Sequence, residues 1–433
     1  MTKPPAHSSA SKGPRGRIGP KLMVRQLRSD RATNIALIVI VFLTSLYLSA
    51  TPRLFDAMSD DAILETIEGA DVATRNVSVG RSSRILPAGS GDVLVPLDTQ
   101  GTRFRDLDLP ESLQAIISDH QYVVDSPSFI VVPPEAERAS LTRLVRMRYQ
   151  QGIEEHVRLV AGHFPVPREP VPVEMGEDAE IVIVPLYELA VSAETLSELQ
   201  VELGDRLLLT PDTRDPLYHD MPIASLSYFV AIEISGVIEP IQPDEDYWNL
   251  DFRLHRPRIV FDIDFNPIFV FTTGLLGPSD YRQLLRDTRG ALWAYTWRYS
   301  VQPGKLDADD ADQLAGDLRK LGSTFPPIGL ASLTETGVTT GLSQLLDEFL
   351  DQRAATIAVM SLASVGLLVV ALAVAALLAA LSAERRRDAT RLLRSRGASI
   401  RQLTLARLAD GLVLSVPAAT IGYIVASLLV PGA

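Results

Sequence analysis

Any chemistry in this chain has to come from a short list of polar constellations. Gly304-Lys305 is the only place for a phosphate-cradling Gly-x4-Gly-Lys-Ser/Thr loop. Leu306 follows it, and Tyr299 stands where the first glycine belongs, so nucleotide binding by that motif is excluded. His156 and His163, beside Glu154 and Glu155, offer metal-ligand atoms. Their spacing is not that of His-Glu-x-x-His, which sets two imidazoles on one helical turn toward zinc. Asp307, Asp309, Asp310 and Asp312 resemble a calcium loop but lack its sixth-position glycine and closing glutamate. An acidic first turn of a helix accounts for them. Asp244-Glu245-Asp246 before Tyr247-Trp248 reads as a recognition patch or as an acidic loop beside a buried tryptophan. No nucleophile–base pair stands out, so no enzyme activity, metal or cofactor is expected of this chain. The one concentrated polar signal is basic: residues 384–407 hold eight Lys/Arg and two acids.

The elements around that segment are apolar. Residues 354–383 are 30 consecutive uncharged residues, followed at once by Glu384-Arg385-Arg386-Arg387-Asp388. As a helix such a run is roughly 45 Å long, against a hydrocarbon core of about 30 Å. A second uncharged run lies between Arg31 and Arg53, and a third follows Asp410 with Pro417 inside it, a residue that membrane helices tolerate. The expected spans are 34–51, 353–383 and 408–430.

Charge sets the expected topology. Residues 1–33 hold eight basic side chains and one acid, whereas residues 34–383 hold 25 basic and 49 acidic. The net charge of −12 therefore combines two basic ends with one acidic interior stretch. An arginine at the bilayer centre costs on the order of 3 kcal/mol, so the 384–407 loop is expected in the cytoplasm together with the N-terminus. Residues 52–352 are then extracytoplasmic in a multi-pass protein of the cell (inner) membrane, and their acidity disfavours a nucleic-acid partner. A cleaved signal peptide ending at Leu48-Ser49-Ala50 fits less well, because leucine violates the small-residue rule and 33 residues precede the apolar body. The chain has no cysteine, and an exterior domain of about 300 residues is large enough to fold without disulfides.

Residues 1–20 are basic and rich in Pro, Gly and Ser, and are expected to be disordered. Residues 21–33 read as a basic amphipathic flank or as an ordinary positive-inside flank. The exterior domain is expected to be α+β, inserted between transmembrane helices. Candidate strands are Tyr122–Val124, Phe129–Val132, Ile181–Val184, Arg206–Leu209 and Phe229–Val237. Candidate helices are Ala193–Gln200, Ser279–Tyr299 and Asp307–Leu321. Leu54, Phe55, Met58, Ala62, Ile63 and Ile67 extend the first span as a helix. Val338, Leu342, Leu345, Leu346, Phe349 and Leu350 form one helical face ahead of the second, so the pair reads as a stalk.

In the basic loop, Arg385–Arg396 is expected to prolong the second span as a helix, with Ala389, Leu392 and Leu393 as an apolar strip. Gly397 suits a C-cap with positive φ, and Ser399 with Gln402 forms a capping box that starts the next helix. The result is a helix–elbow–helix. The stretch from Arg385 to Leu403 (RRRDATRLLRSRGASIRQL) resembles the coupling loop of FtsX-like (MacB/LolC-type) ABC transporter permeases. Weaker echoes of that family are 201–209 (VELGDRLLL), 155–165 and 236–248. The resemblance implies a permease subunit or half-permease that pairs with a second half or forms a homodimer. It implies a separate cytoplasmic ABC ATPase docking at Arg385, Arg386, Arg387, Leu392, Leu393, Gly397 and Ser399. Motion would pass to the exterior domain through the stalk residues Leu342, Leu345, Leu346 and Phe349. The family has four spans per unit and three are found here, which implies a truncated product, a fragment, or the first part of a longer permease. A receptor or adaptor, or a regulator of an extracellular enzyme, whose basic loop contacts only membrane lipid is the alternative.

Overall fold

The computed structural model describes residues 31–84, 94–132, 141–175, 180–218, 221–288, 291–328, 335–385, 387–395 and 399–430. The stretch 1–20, most of the flank 21–33, Arg386 and Gly397 lie outside the described residues. The strands are β1 Val77–Ser83, β2 Ile117–Asp125, β3 Phe129–Val131, β4 Thr142–Gln150, β5 Val157–Gly162, β6 Val171–Met175 and β7 Glu180–Val184. They continue with β8 Leu186–Val191, β9 Arg206–Pro211, β10 Val230–Pro240, β11 Arg258–Phe261, β12 Pro267–Leu275, β13 Trp293–Val301 and β14 Gly337–Thr339. The longer helices are α1 Arg31–Glu68, α2 Leu94–Arg103, α3 Ala193–Leu199, α4 Pro278–Asp287, α5 Ala311–Thr324, α6 Leu342–Arg385, α7 Arg387–Ser395 and α8 Ile400–Leu429. The chain forms two compact units, Ala62–Asp351 and the helical remainder Met1–Asp61 with Gln352–Ala433.

Among the described residues three helices are long and apolar enough to cross a membrane: Arg31–Glu68, Leu342–Arg385 and, within α8, Leu403–Leu429. Inside the helical unit, α1 and α8 approach closely because Gly422 has no side chain; a Cβ there would lie 2.7 Å from the carbonyl oxygen of Phe42. The Ser45 hydroxyl donates to the Ala419 carbonyl at 2.8 Å, and the Arg53 guanidinium lies 5.4 Å from the centre of the Tyr423 ring.

The unit Ala62–Asp351 is mixed α+β. Twelve strands join in one sheet, and β6 with β7 form a separate ladder. Part of the sheet closes on itself through β12, β8, β10, β9, β3 and β4. Seven residue pairs join β12 to β4 in parallel, from Phe269–Thr142 to Leu275–Arg148. The seam between β12 and β8 is a single pair, Leu275–Ala190. Strand periodicity separates the two faces: Phe129, Val145, Met147, Tyr187, Leu189, Leu209, Val230 and Ile232 belong to the main core. Ala190, on the opposite face of β8, packs with Leu275 of β12 into a smaller core with Tyr247, Trp248 and Leu254.

The sheet continues from β4 through β2, β13, β1 and β14. Here the expected helix Ser279–Tyr299 is corrected: helix α4 stops at Asp287 and Trp293–Val301 is a strand. Trp293, Tyr295, Trp297 and Tyr299 recur every second residue and are all buried, a strand period rather than a helical one. Helix α2 caps this stripe, its Leu97 and Gly101 carbonyls accepting from the Trp297 indole (2.9 Å) and the Tyr299 hydroxyl (2.7 Å). The helix expected at Asp307–Leu321 begins later, at Ala311, because residues 303–310 form a 3-10 turn and a bend in which the Asp310 N–H donates to the Asp307 carbonyl. Asp307 is therefore no helix cap. Val338 lies in β14, not on the stalk helix. The candidate strands at 122–124, 129–132, 181–184, 206–209 and 229–237 fall within or overlap β2, β3, β7, β9 and β10, and Ala193–Gln200 matches α3.

Candidate functional site

The basic segment that the sequence singles out is helical on both sides of residues 396–398. Arg385 ends α6, α7 covers Arg387–Ser395, and Ser399 immediately precedes α8, its carbonyl accepting from the Leu403 N–H at 3.2 Å. Arg385, Arg387, Leu392 and Ser399 are exposed. Arg387 makes an i,i+3 pair with Glu384 at 3.3 Å. The side chains of Leu393 and Gln402 lie outside the described residues, as does Gly397. Arg394 lines a cavity of about 710 Å3 with Leu37, Ile400, Leu403 and Leu408.

The stalk face is core. Leu342, Leu346 and Phe349 are buried in the main cluster of Ala62–Asp351, joined there by Ile63 and Ile67 from the end of α1, while Leu345 is half-buried. The paired histidines take separate partners. His156 stacks on Tyr247 with ring centres 3.6 Å apart and meets Glu245 at 2.9 Å, whereas His163 Nδ1 faces the Phe164 carbonyl at 2.9 Å. Asp246 pairs with Arg75 at 2.6 Å, and Trp248 beside it is buried, as an acidic loop over a tryptophan requires. Two of the family-like segments are neighbours, since β5 and β10 pair antiparallel with Gly162 opposite Gly236. Gly162 has φ 74°, and a Cβ there would lie 2.1 Å from the Ser235 carbonyl oxygen. Gly204, with φ 91°, turns the segment 201–209 and donates its N–H to the Ile234 carbonyl at 2.8 Å.

A constellation that sequence reasoning did not find lies under Trp248. Arg146 and Arg148 point away from the face carrying Val145 and Met147, and residues 246–256 cover that outer side. Arg148, 1% exposed, donates Nε and one terminal nitrogen to the two oxygens of Asp125 at 2.7 and 2.9 Å. Its other terminal nitrogen lies 2.9 Å from Asp251. Asp251 also receives a fork from Arg253 at 2.8 and 2.7 Å and a bond from Arg298 at 2.7 Å. Arg298 further donates to the carbonyls of Tyr247 and Trp248.

Burial opposes ionisation of Asp125 and Asp251, yet Arg148 and Arg253 at contact distance hold both carboxyls below the ordinary range. Burial drives the Arg298 guanidinium down. His255, packed edge-on against Trp248 at 4.2 Å, is pushed down to about 4 by burial and then by the Arg148 charge. Elsewhere Asp280, 3% exposed, is pushed up to about 6 by burial and by Glu188, and its Oδ2 has no hydrogen-bond partner among the described residues. Nothing in this arrangement pairs a nucleophile with a base. It is a charge clamp joining β2, β4, β13 and the 246–256 segment.

No family model matches the chain, and no curated protein matches it.

Proposed function

We propose that this chain is the membrane-embedded permease subunit, or half-permease, of an ABC transport system, and that it works by mechanotransmission. A separate cytoplasmic ATPase engages the basic elbow around Arg385–Ser399 and moves α6 as a lever. The unit Ala62–Asp351 then changes shape outside the cell, and nothing need pass between the spans. In this reading the N-terminus and residues 384–407 are cytoplasmic, in keeping with the excess of arginine at both ends.

The observation that carries the reading is the continuity of α6. It is a single helix of 44 residues that starts with Leu342, Leu346 and Phe349 buried in the core of Ala62–Asp351 and ends at Arg385. A hydrogen-bonded helix resists compression along its axis, so a push on its basic end is passed to whatever its other end is packed into. The likeness of Arg385–Leu403 to the coupling loop of FtsX-like permeases supports the same reading.

The test is co-purification from membranes in mild detergent. An ABC ATPase is expected to accompany the wild-type chain and to be lost on Arg385→Glu/Arg386→Glu/Arg387→Glu. Gly397→Pro is expected to retain the ATPase but abolish its stimulation. Absence of any ATPase, or full stimulation by both variants, overturns the coupling role and leaves the lipid-contacting receptor or adaptor.

A further inference from the structure

The unit Ala62–Asp351 carries 46 acidic and 23 basic side chains, so a site where arginines outnumber carboxylates stands against its surroundings. A cavity of about 230 Å3 is such a site, lined by Arg146, Arg253, Arg256 and Arg258 with Ser128 and Thr273. Among the described residues no carboxylate lines it. Sheet register brings these side chains together. Arg258 of β11 pairs with Phe271 of β12, and Thr273 of β12 pairs with Arg146 of β4, and residues paired across a ladder share a face.

The arginines are held and only partly neutralised. One terminal nitrogen of Arg146 lies 3.0 Å from both the Ser128 hydroxyl and Asp215, while its buried Nε has no hydrogen-bond partner among the described residues. Arg253 forks onto Asp251. Arg256 and Arg258 have no acidic partner among the described residues; their guanidinium groups lie over Phe252 at 5.7 Å and Phe271 at 4.5 Å. Stacking fixes the plane of a guanidinium and leaves the donors on its edge free. Arg148 and Arg298 pair with the same aspartates, so four arginines share Asp125, Asp215 and Asp251, and Arg256 and Arg258 bring the cluster to six cations against three anions. Gathering like charges in a concavity costs free energy that a bound counter-anion removes.

We infer that this cavity binds a compact, multiply charged phosphate group. A tetrahedral phosphate accepts donors from several directions at once, whereas a carboxylate is satisfied by a single fork. That suits the guanidinium groups of Arg256 and Arg258, unpaired among the described residues, on a cavity whose charge Arg146 and Arg253, held by Asp215, Asp251 and Asp125, reinforce. The volume is below the roughly 300–1,000 Å3 of sites that enclose drug-sized ligands, so the bound moiety is small. Its source is a soluble phosphorylated compound or the headgroup of a lipid. The inference stands apart from the permease reading, since it depends only on residues within Ala62–Asp351.

The test uses the full chain in neutral detergent, with inorganic phosphate and pyrophosphate titrated by calorimetry at constant ionic strength, about 0.15 M. A parallel arm measures co-flotation with phosphatidylcholine vesicles, with and without phosphatidic acid. Saturable binding of either soluble anion identifies a free phosphate compound. Binding confined to phosphatidic acid vesicles identifies a headgroup. Both support the site, provided that Arg256→Ala/Arg258→Ala weakens binding about tenfold or more. Neither side chain takes part in the ion pairs of the buried clamp, so unchanged tryptophan emission shows that the double variant is folded. No binding in either arm, undiminished binding by the folded double variant, or equal competition by chloride overturns the inference.

Discussion

Replacing Arg148 with methionine tests whether the buried clamp holds the unit together. The substitution keeps length and apolar bulk but deletes three charge-assisted bonds, two to Asp125 and one to Asp251. Removing one partner from a buried ion pair costs about 3–5 kcal/mol, because the remaining charge stays desolvated. Here Asp251 keeps Arg253 and Arg298, and Asp125 keeps Arg253 at 3.3 Å. Losing Arg148 also relieves repulsion among the three guanidinium groups. The expected loss is therefore at the lower end, about 3 kcal/mol, or roughly a hundredfold in the unfolding equilibrium.

Tryptophan fluorescence during urea denaturation of the detergent-solubilised protein reads this unit alone. The chain has three tryptophans, and Trp248, Trp293 and Trp297 are each 1% exposed inside it. The midpoint is expected to fall with an unchanged slope. The loss should persist in about 1 M salt, since buried pairs are little screened. Arg148→Lys should recover less than half, because an ammonium cannot fork across both Asp125 oxygens. A loss under about 1 kcal/mol for Arg148→Met, or one abolished by salt, refutes the clamp.

Other expectations follow from single side chains. Burial raises Asp280 to about 6, so folding is opposed by ionisation above that pH and favoured as pH falls toward the unfolded value of 3.8. Asp280→Asn is expected to raise stability by up to about 3 kcal/mol at pH 8, the gain vanishing near pH 4, as followed by the urea midpoint. His255 has the opposite sign: lowered from 6.5 to about 4, it stays neutral in the fold while the unfolded chain takes up a proton. Its acid-side loss, up to about 3 kcal/mol between those values, should be missing in His255→Phe. Gly162→Ala forces a side chain into the left-handed region and against the Ser235 carbonyl, so a loss of at least about 2 kcal/mol is expected by thermal melting. Leu346→Ala should cost about 2–5 kcal/mol by the same fluorescence assay, as a core position does; a neutral result would mean that the stalk face is not packed.

Elements with a clean local signal were legible in the sequence, and those without one were not. Leu342, Leu346 and Phe349 repeat at helical spacing and lie on a helix. The stripe Trp293, Tyr295, Trp297, Tyr299 repeats at strand spacing, yet the preceding helical pattern of α4 masked it. Strand β4 hid for another reason: arginines at 143, 146 and 148 look like a solvated surface, and only burial by residues 246–256 makes Arg148 a core residue.

The sequence by itself determined the apolar helices, because a run of uncharged residues longer than a bilayer is thick needs no partner to be recognised. It also determined the basic ends and most individual strands, which depend on local period and composition. Tertiary structure alone decided the closure of β12 onto β4, the clamp around Arg148 and the arginine-lined cavity. Arg148 and Asp125 are 23 residues apart, and Arg298 and Asp251 are 47 apart. No local rule pairs residues at such separations; the pairing exists only once the sheet register brings desolvated charges within hydrogen-bonding distance of one another.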